Sequence, residues 1–355
     1  MKVIPPGATI GIMGGGQLGR MLGMAAACLG YRIHVFAPES GPANDVASAF
    51  TQAEYDDTDA LHAFADACDL VTYEFENVPL EPLRLIADKV PIRPGIRSLE
   101  VAQVRDAEKA FVRDLGGRTA PFATVETGDG LAAALAVTGV PAILKTLRMG
   151  YDGKGQVRID APGQAGAAWK AVAGQPSIAE GFVSFSHEFS ILIARREDGA
   201  TAVYPAPWNE HRAGILHRSS VPAPDEIVAQ QAEAMALAAK VADALGHVGV
   251  LALEFFATAD GPVFNEMAPR VHNSGHWTIE GSETSQFENH IRAICGLPLG
   301  STALTAKRVE MENLIGEDAG NWEALLSEAG VHLHLYGKHE AREGRKMGHV
   351  TRLAR

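Results

Sequence analysis

Two glutamates, Glu254 and Glu266, each interrupt an apolar run, at residues 251–256 and 263–267. A carboxylate placed in such a run needs a partner. Between them Ala259-Asp260-Gly261 reads as a three-residue hairpin loop with Gly261 in the left-handed position. That register sets Glu254 opposite Glu266 on one sheet face, whereas a two-residue turn would send them to opposite faces. Facing carboxylates repel unless a cation lies between them. Mg²⁺ with nucleotide phosphates is one solution, and pairing with Arg or Lys is another. Lys145 ends an earlier strand and aims a fixed positive charge. The loop after it, Gly150, Tyr151, Asp152, Gly153, Lys154, Gly155 and Gln156, lacks the Ser or Thr of a P-loop. It reads either as a flap whose amides and Lys154 cover phosphates or as a glycine-rich hairpin with a solvated lysine. Arg270 and His272 follow the second glutamate closely. They suit a small oxyanion and proton movement, although a histidine there can also be structural.

A further glycine loop lies at residues 14–19, and Gly16, Gln17 and Leu18 open the helix after it. It satisfies G-x-G-x-x-G between a strand and a helix. The acid that would bind a ribose is missing from the end of the next strand, because Glu39 comes too late, behind Pro38. NAD, another phosphate-bearing ligand, or a structural tight turn therefore remain open. His332 and His334 alternate along a strand and read as structural.

The elements that must carry these residues follow from periodicity. Residues 9–13, 32–36 and 70–74 read as strands. Helices at 20–29, 59–67 and 80–88 alternate with them, which predicts a parallel sheet covered by helices. Residues 90–97 read as a linker and 99–115 as one helix. Strands at 123–125, 142–145 and 156–159 with a helix at 130–138 form a small α/β unit. The chain turns β-rich from residue 177. A long helix from Asp225 to about Leu245 precedes a hairpin at 250–256 and 262–267, and 322–329 and 331–336 read as a last helix and strand.

The chain has 355 residues and a formal net charge of −12. At about 150 residues per domain, two or three domains are expected. The acidic total argues against nucleic acid and against an anionic membrane. Three cysteines without a Cys-x-x-Cys pair fit a reducing, cytoplasmic setting. The longest apolar stretch, 131–144, is broken by Gly139 and Pro141, so no membrane span is expected. Residues 331–355 nevertheless hold six Lys or Arg and two Glu, a local net of +4.

Taken together, GIMGGGQLGRM at 11–21, TYEFENVP at 72–79, LK at 144–145, GYDGKGQ at 150–156, EGFVSFSHEFS at 180–190, NEMAPRVHNSGHWT at 265–278, and YGK with GRKMGH at 336–349 resemble the ATP-grasp superfamily. Within it the chain resembles the N5-carboxyaminoimidazole ribonucleotide synthetase family of purine biosynthesis. The resemblance implies an α/β protein with a Rossmann-like pre-ATP-grasp domain (1–97). An ATP-grasp domain (98–297, with subdomains 98–178 and 179–297) and a small C-terminal domain (298–355) would follow. It implies a ligase that uses ATP and bicarbonate to carboxylate 5-aminoimidazole ribonucleotide, with Mg²⁺ or Mn²⁺, as a cytoplasmic homodimer.

The resemblance also implies residue roles. Arg105, Lys145 and the Gly150–Gln156 loop would contact ATP phosphates. Glu180 and Val183 would recognise adenine, Glu188 would bind the ribose, and His211 would lie near the nucleotide. Glu254 and Glu266 would hold the metal with help from Asn265, whose strand parity points it away. Gly16, Gln17, Leu18, Glu76, Tyr151, Asp152, Lys154 and Asn273 would surround the ribonucleotide, and Lys338, Arg345 and Lys346 would take its phosphate. Arg270 and His272 would orient bicarbonate. The alternatives are another ATP-grasp ligase, such as the formate-dependent glycinamide ribonucleotide transformylase or a biotin carboxylase, and an NAD-dependent oxidoreductase resting on the first glycine loop.

Overall fold

The computed structural model describes residues 3–150 and 155–354. Among them seventeen strands form three sheets. The first holds β1 (Thr9–Met13), β2 (Arg32–Ala37), β3 (Ala49–Gln52) and β4 (Leu70–Tyr73) in the order β3-β2-β1-β4, all parallel. Strands β1 and β4 are buried on both faces because helices cover each side. The helix Gln17–Cys28 lies on one face with Leu18 and Leu22 in the core, and Phe64 of Thr58–Asp66 is buried on the other. This is the architecture expected, with the short strand β3 added.

The second sheet is antiparallel and contains β5 (Phe122–Val125), β6 (Ala142–Thr146), β7 (Gln156–Ile159) and β8 (Ser177–Gly181) in the order β5-β8-β6-β7. Period-two alternation sends Ala142, Leu144 and Ala179 into one small core. Lys145 and Glu180 project from the opposite face.

The third sheet has nine strands. They are β9 (His187–Arg195), β10 (Thr201–Val203), β11 (Trp208–Arg212), β12 (Ile215–Val221), β13 (Gly249–Thr258), β14 (Gly261–Ala268), β15 (Arg308–Ile315), β16 (Val331–Leu335) and β17 (Lys346–Ala354). Leu251, Leu253 and Phe255 of β13 and Phe189 and Ile191 of β9 pack on the long helix Asp225–Ala244, whose Ile227, Ala234, Ala238 and Val241 are fully buried as the helical spacing predicts. The other face of the same strands carries Glu188 and Glu254. The C-terminal strands continue this sheet through β12–β15 pairing.

One expected element is corrected. The single helix at 99–115 is two, Ile96–Ala102 and Arg105–Asp114. The break is tertiary in origin. The Gln103 amide donates to the carbonyls of Glu76 and Val78 at 2.9 and 2.8 Å, and Val104 is extended. Arg105 thereby becomes the first residue of a new helix, with Glu108 and Lys109 on its own face three and four residues on.

Candidate active site

The hairpin that carries the two glutamates differs from expectation in a way that preserves its consequence. Thr258 pairs with Gly261, so the loop is the two residues Ala259 and Asp260, and Gly261 takes φ +111°. Continued regularly, this register would separate the glutamates. It shifts between the pairs Phe255–Phe264 and Leu253–Met267, so that Glu254 faces both Asn265 and Glu266. This β-bulge re-aims side chains and restores the carboxylate pair. Parity beyond a bulge no longer excludes Asn265, whose Oδ1 is buried without a hydrogen-bond partner among the described residues.

The pair is electrostatically uneven. Burial, then repulsion from Glu266, pushes the Glu254 carboxyl up to about 7. Partial burial works against ionisation of Glu266 too, but Arg105 and Lys145 outweigh it and hold that carboxyl down to about 2. Arg105 Nη1 sits 2.8 Å from Glu266 Oε2, and its Nη2 donates to the Gly150 carbonyl at 3.0 Å. Lys145 Nζ donates to Glu180 Oε2 at 3.0 Å, and Lys109 Nζ lies 3.3 Å from the same oxygen. Glu180 Oε1 is buried and unpartnered among the described residues. Val183 lies half-buried in the connector between β8 and β9.

On the large sheet His211 Nδ1 pairs with Glu188 Oε2 at 3.0 Å. His272 Nε2 is 3.7 Å from Glu254 Oε1. Its Nδ1 lies 2.9 Å from Ser274 Oγ and accepts from the Ser274 amide at 3.4 Å. Burial, then the Arg270 charge, pushes the imidazole far below its usual range, so it is neutral near pH 7. Arg270 donates through Nε to Glu76 at 2.5 Å and through Nη1 to the Val271 carbonyl at 2.9 Å. Lys346 is near enough that its charge lowers Glu254 and His272, and the Lys338 ammonium donates to the Lys346 carbonyl at 2.7 Å. Arg345 donates to the Glu340 carbonyl at 3.1 Å.

Some expected contacts are taken by the chain itself. The Gly16 and Gly19 amides donate to Glu74 at 2.7 and 3.1 Å. The anion held by the first glycine loop is therefore an internal carboxylate, beside Gln17 and the buried Leu18. The Asn273 amide exchanges hydrogen bonds with Asn313 at 3.0 and 2.7 Å. Gly155, at φ +70°, accepts from the Thr146 amide at 2.9 Å, and Gln156 pairs with Lys145. Tyr151, Asp152, Gly153 and Lys154 lie outside the described residues. Nothing in the sequence alone marks Lys109, Glu108 or Glu74 as part of this site. The only trace of the first two is their i+3 and i+4 spacing from Arg105.

A divalent cation is implied by the resemblance, and the donor set fits one. Two carboxylates and a free amide oxygen are hard oxygen ligands that suit Mg²⁺ completed by phosphates. Among the described residues no group of three or more His, Cys, Asp or Glu gathers as a self-sufficient metal site, and none of the helices is long and apolar enough to cross a membrane.

A lysine on a small antiparallel sheet facing paired carboxylates on a large one defines an ATP-grasp protein. Family models match accordingly: the ribonucleotide synthetase preATP-grasp domain at residues 7–103, the ATP-grasp domain at 110–287, and the phosphoribosylaminoimidazole carboxylase C-terminal domain at 310–355. The N5-carboxyaminoimidazole ribonucleotide synthase of Brucella melitensis is 50% identical over 99% of this chain and 97% of the relative. The crystal structure of the Thermus thermophilus synthetase is 47% identical, with TM-score 0.90 over 98% of this chain and 93% of that one. The Aspergillus clavatus enzyme, solved with ADP and 5-aminoimidazole ribonucleotide, is 30% identical, with TM-score 0.90 over 98% and 94%. The chain belongs to the N5-carboxyaminoimidazole ribonucleotide synthase family.

Proposed function

We propose that this chain carboxylates 5-aminoimidazole ribonucleotide with bicarbonate at the cost of one ATP, giving the N5-carbamate, ADP and phosphate. The observation that supports this most is the bond between Arg270 and Glu76. It joins the residue suited to bicarbonate, directly after the metal strand, to the residue suited to the aminoimidazole. A bicarbonate oxygen attacks the γ-phosphorus, the bond to ADP breaks, and carboxyphosphate forms. The exocyclic amine then attacks the carboxyl carbon, loses a proton, and phosphate leaves.

In this reading Lys145, Arg105 and Lys154 neutralise the transferring phosphoryl group, whose stabilisation is chiefly electrostatic. Glu180 and Val183 flank the adenine, and Glu188 with His211 flank the ribose. Glu254, Glu266 and Asn265 hold Mg²⁺, or Mn²⁺, which supplies Lewis-acid polarisation of the phosphates. Arg270 offers a planar pair of donors to bicarbonate, and neutral His272 offers its Nε2–H. Lys338, Arg345 and Lys346 take the ribonucleotide phosphate, and Gly16, Gln17, Leu18, Glu76, Tyr151, Asp152, Lys154 and Asn273 surround the rest of the ribonucleotide. The same reading divides the chain at residues 97 and 297 and makes it a cytoplasmic homodimer. The decisive assay is phosphate release from ATP and bicarbonate, with and without aminoimidazole ribonucleotide. Strong stimulation by the nucleotide is expected; none would remove this acceptor while leaving the fold unaffected.

A further inference from the structure

Strand β14 is the edge of the nine-stranded sheet, and apart from a single bridge at Phe264, whose amide donates to the Arg118 carbonyl at 2.7 Å, its outward backbone groups have no strand to pair with. It is also bulged where it carries the two outer metal donors. Buried backbone groups at such a place need partners, and two consecutive side chains supply them. Lys109 Nζ donates to the Asn265 carbonyl at 2.8 Å, and Glu108 Oε1 accepts from the Met267 amide at 2.6 Å. These bonds bracket Glu266 on both sides. Glu108 is 2% and Lys109 1% exposed, so neither is a solvated surface charge. Lys109 reaches one step further, to the Glu180 oxygen that Lys145 also holds. Arg105, one helical turn earlier on the same face, grips the Glu266 carboxylate itself.

We infer that Glu108 and Lys109 are positioning residues that hold the β14 bulge and so fix Glu266 and Asn265 for the metal. Through Glu180, Lys109 couples that strand to the phosphate lysine of the other sheet. A helix that holds both halves of the site explains two buried charges that touch no expected substrate atom. The inference rests on the metal role proposed for Glu254 and Glu266, and its test separates the two.

The probe is Mn²⁺ binding to the folded enzyme in the presence of ADP, followed by electron paramagnetic resonance. K109M and E108L are expected to weaken Mn²⁺ by about tenfold, the lower end of what loss of a supporting contact costs a metal site. E108Q keeps an oxygen for the Met267 amide and is expected to bind within about twofold of the parent, since the accepted bond and not the charge is what matters. KM for the ribonucleotide is expected to stay constant in all three. Folded K109M and E108L proteins with parental Mn²⁺ affinity would overturn the inference, as would E108Q binding as weakly as E108L. If K109M does not fold, the E108L and E108Q pair decides. E266Q is the control. Parental Mn²⁺ affinity in E266Q removes the metal reading itself, whereas weak binding there with normal E108L and K109M removes only the positioning role.

Discussion

Arg270 and Glu76, 194 residues apart in the chain, share a hydrogen-bonded ion pair that joins the parallel-sheet domain to the segment directly after β14. Both side chains are mostly buried, at 13% and 23% exposure. The guanidinium also bonds its neighbour's carbonyl, so its plane is set before any substrate arrives.

That geometry makes Arg270→Lys a severe change, because an ammonium cannot keep two fixed directions. Loss of one preorganised donor to a developing oxyanion lowers kcat by about a hundredfold or more. This is expected at saturating ATP, with KM for ATP little altered. Steady-state phosphate release with varied bicarbonate measures it, and an unchanged bicarbonate dependence would separate Arg270 from that substrate.

Lys145 lies on the small sheet and Arg345 directly before the C-terminal strand β17, and the two should separate kinetically. Lys145→Ala is expected to cripple ATP use. Arg345→Ala is expected to raise KM for the ribonucleotide by about tenfold or more, the worth of a charged hydrogen bond, with KM for ATP unchanged. Equal effects of Arg345→Ala on both KM values would contradict the phosphate pocket assigned to the basic C-terminal segment.

The first glycine loop carries a stability prediction. A Cβ on Gly16 would stand 2.5 Å from Glu74 Oε1. Gly16→Ala must displace the carboxylate from the Gly16 and Gly19 amides, at a cost of about 1–3 kcal/mol for buried groups left unpaired. Urea unfolding measures it, and unchanged stability would show that the loop does not depend on Glu74. Because the loop already holds a carboxylate, NADH fluorescence should not respond to the protein.

Part of the acid sensitivity should trace to two histidines at the domain junction, alongside the likewise buried and depressed His272, His276 and His349. His247 accepts from Ser98 at Nδ1 and donates from Nε2 to the Val250 carbonyl, while His290 accepts from the Val250 amide and donates to Thr72. Burial pushes His247 down to about 4 and His290 down to about 3. Below pH 6.5 the unfolded chain therefore binds more protons than the fold. The stability these rings contribute is complete above pH 6.5 and is lost as pH falls toward 4, on the order of 3 kcal/mol for His247. Unfolding curves at pH 7 and pH 5 should show the loss, and His247→Gln should reduce it. An unchanged pH slope in that variant would acquit His247.

Local chemistry made much of the site legible. Lys145, Glu254 with Glu266, and Arg270 with His272 stand out because charged groups in or beside apolar strands need partners, and the structure gathers them around β13 and β14. The residues that the sequence does not mark act chiefly through bonds to distant backbone groups. Glu74 fills the glycine loop, and Lys109 and Glu108 hold β14, yet nothing in their own neighbourhoods distinguishes them from ordinary helix or strand-end charges.

By itself the sequence determined the parallel sheet, the long buried helix and the types of residue that must meet, since periodicity and residue chemistry are local properties. Only the tertiary structure decided how they meet. It made the hairpin loop two residues rather than three and returned Glu266 to Glu254's face with a bulge. It also broke the 99–115 helix so that Arg105, Glu108 and Lys109 could face that bulge. Register and long-range hydrogen bonds depend on partners far away in the chain, and a one-residue slip inverts every side chain of a strand.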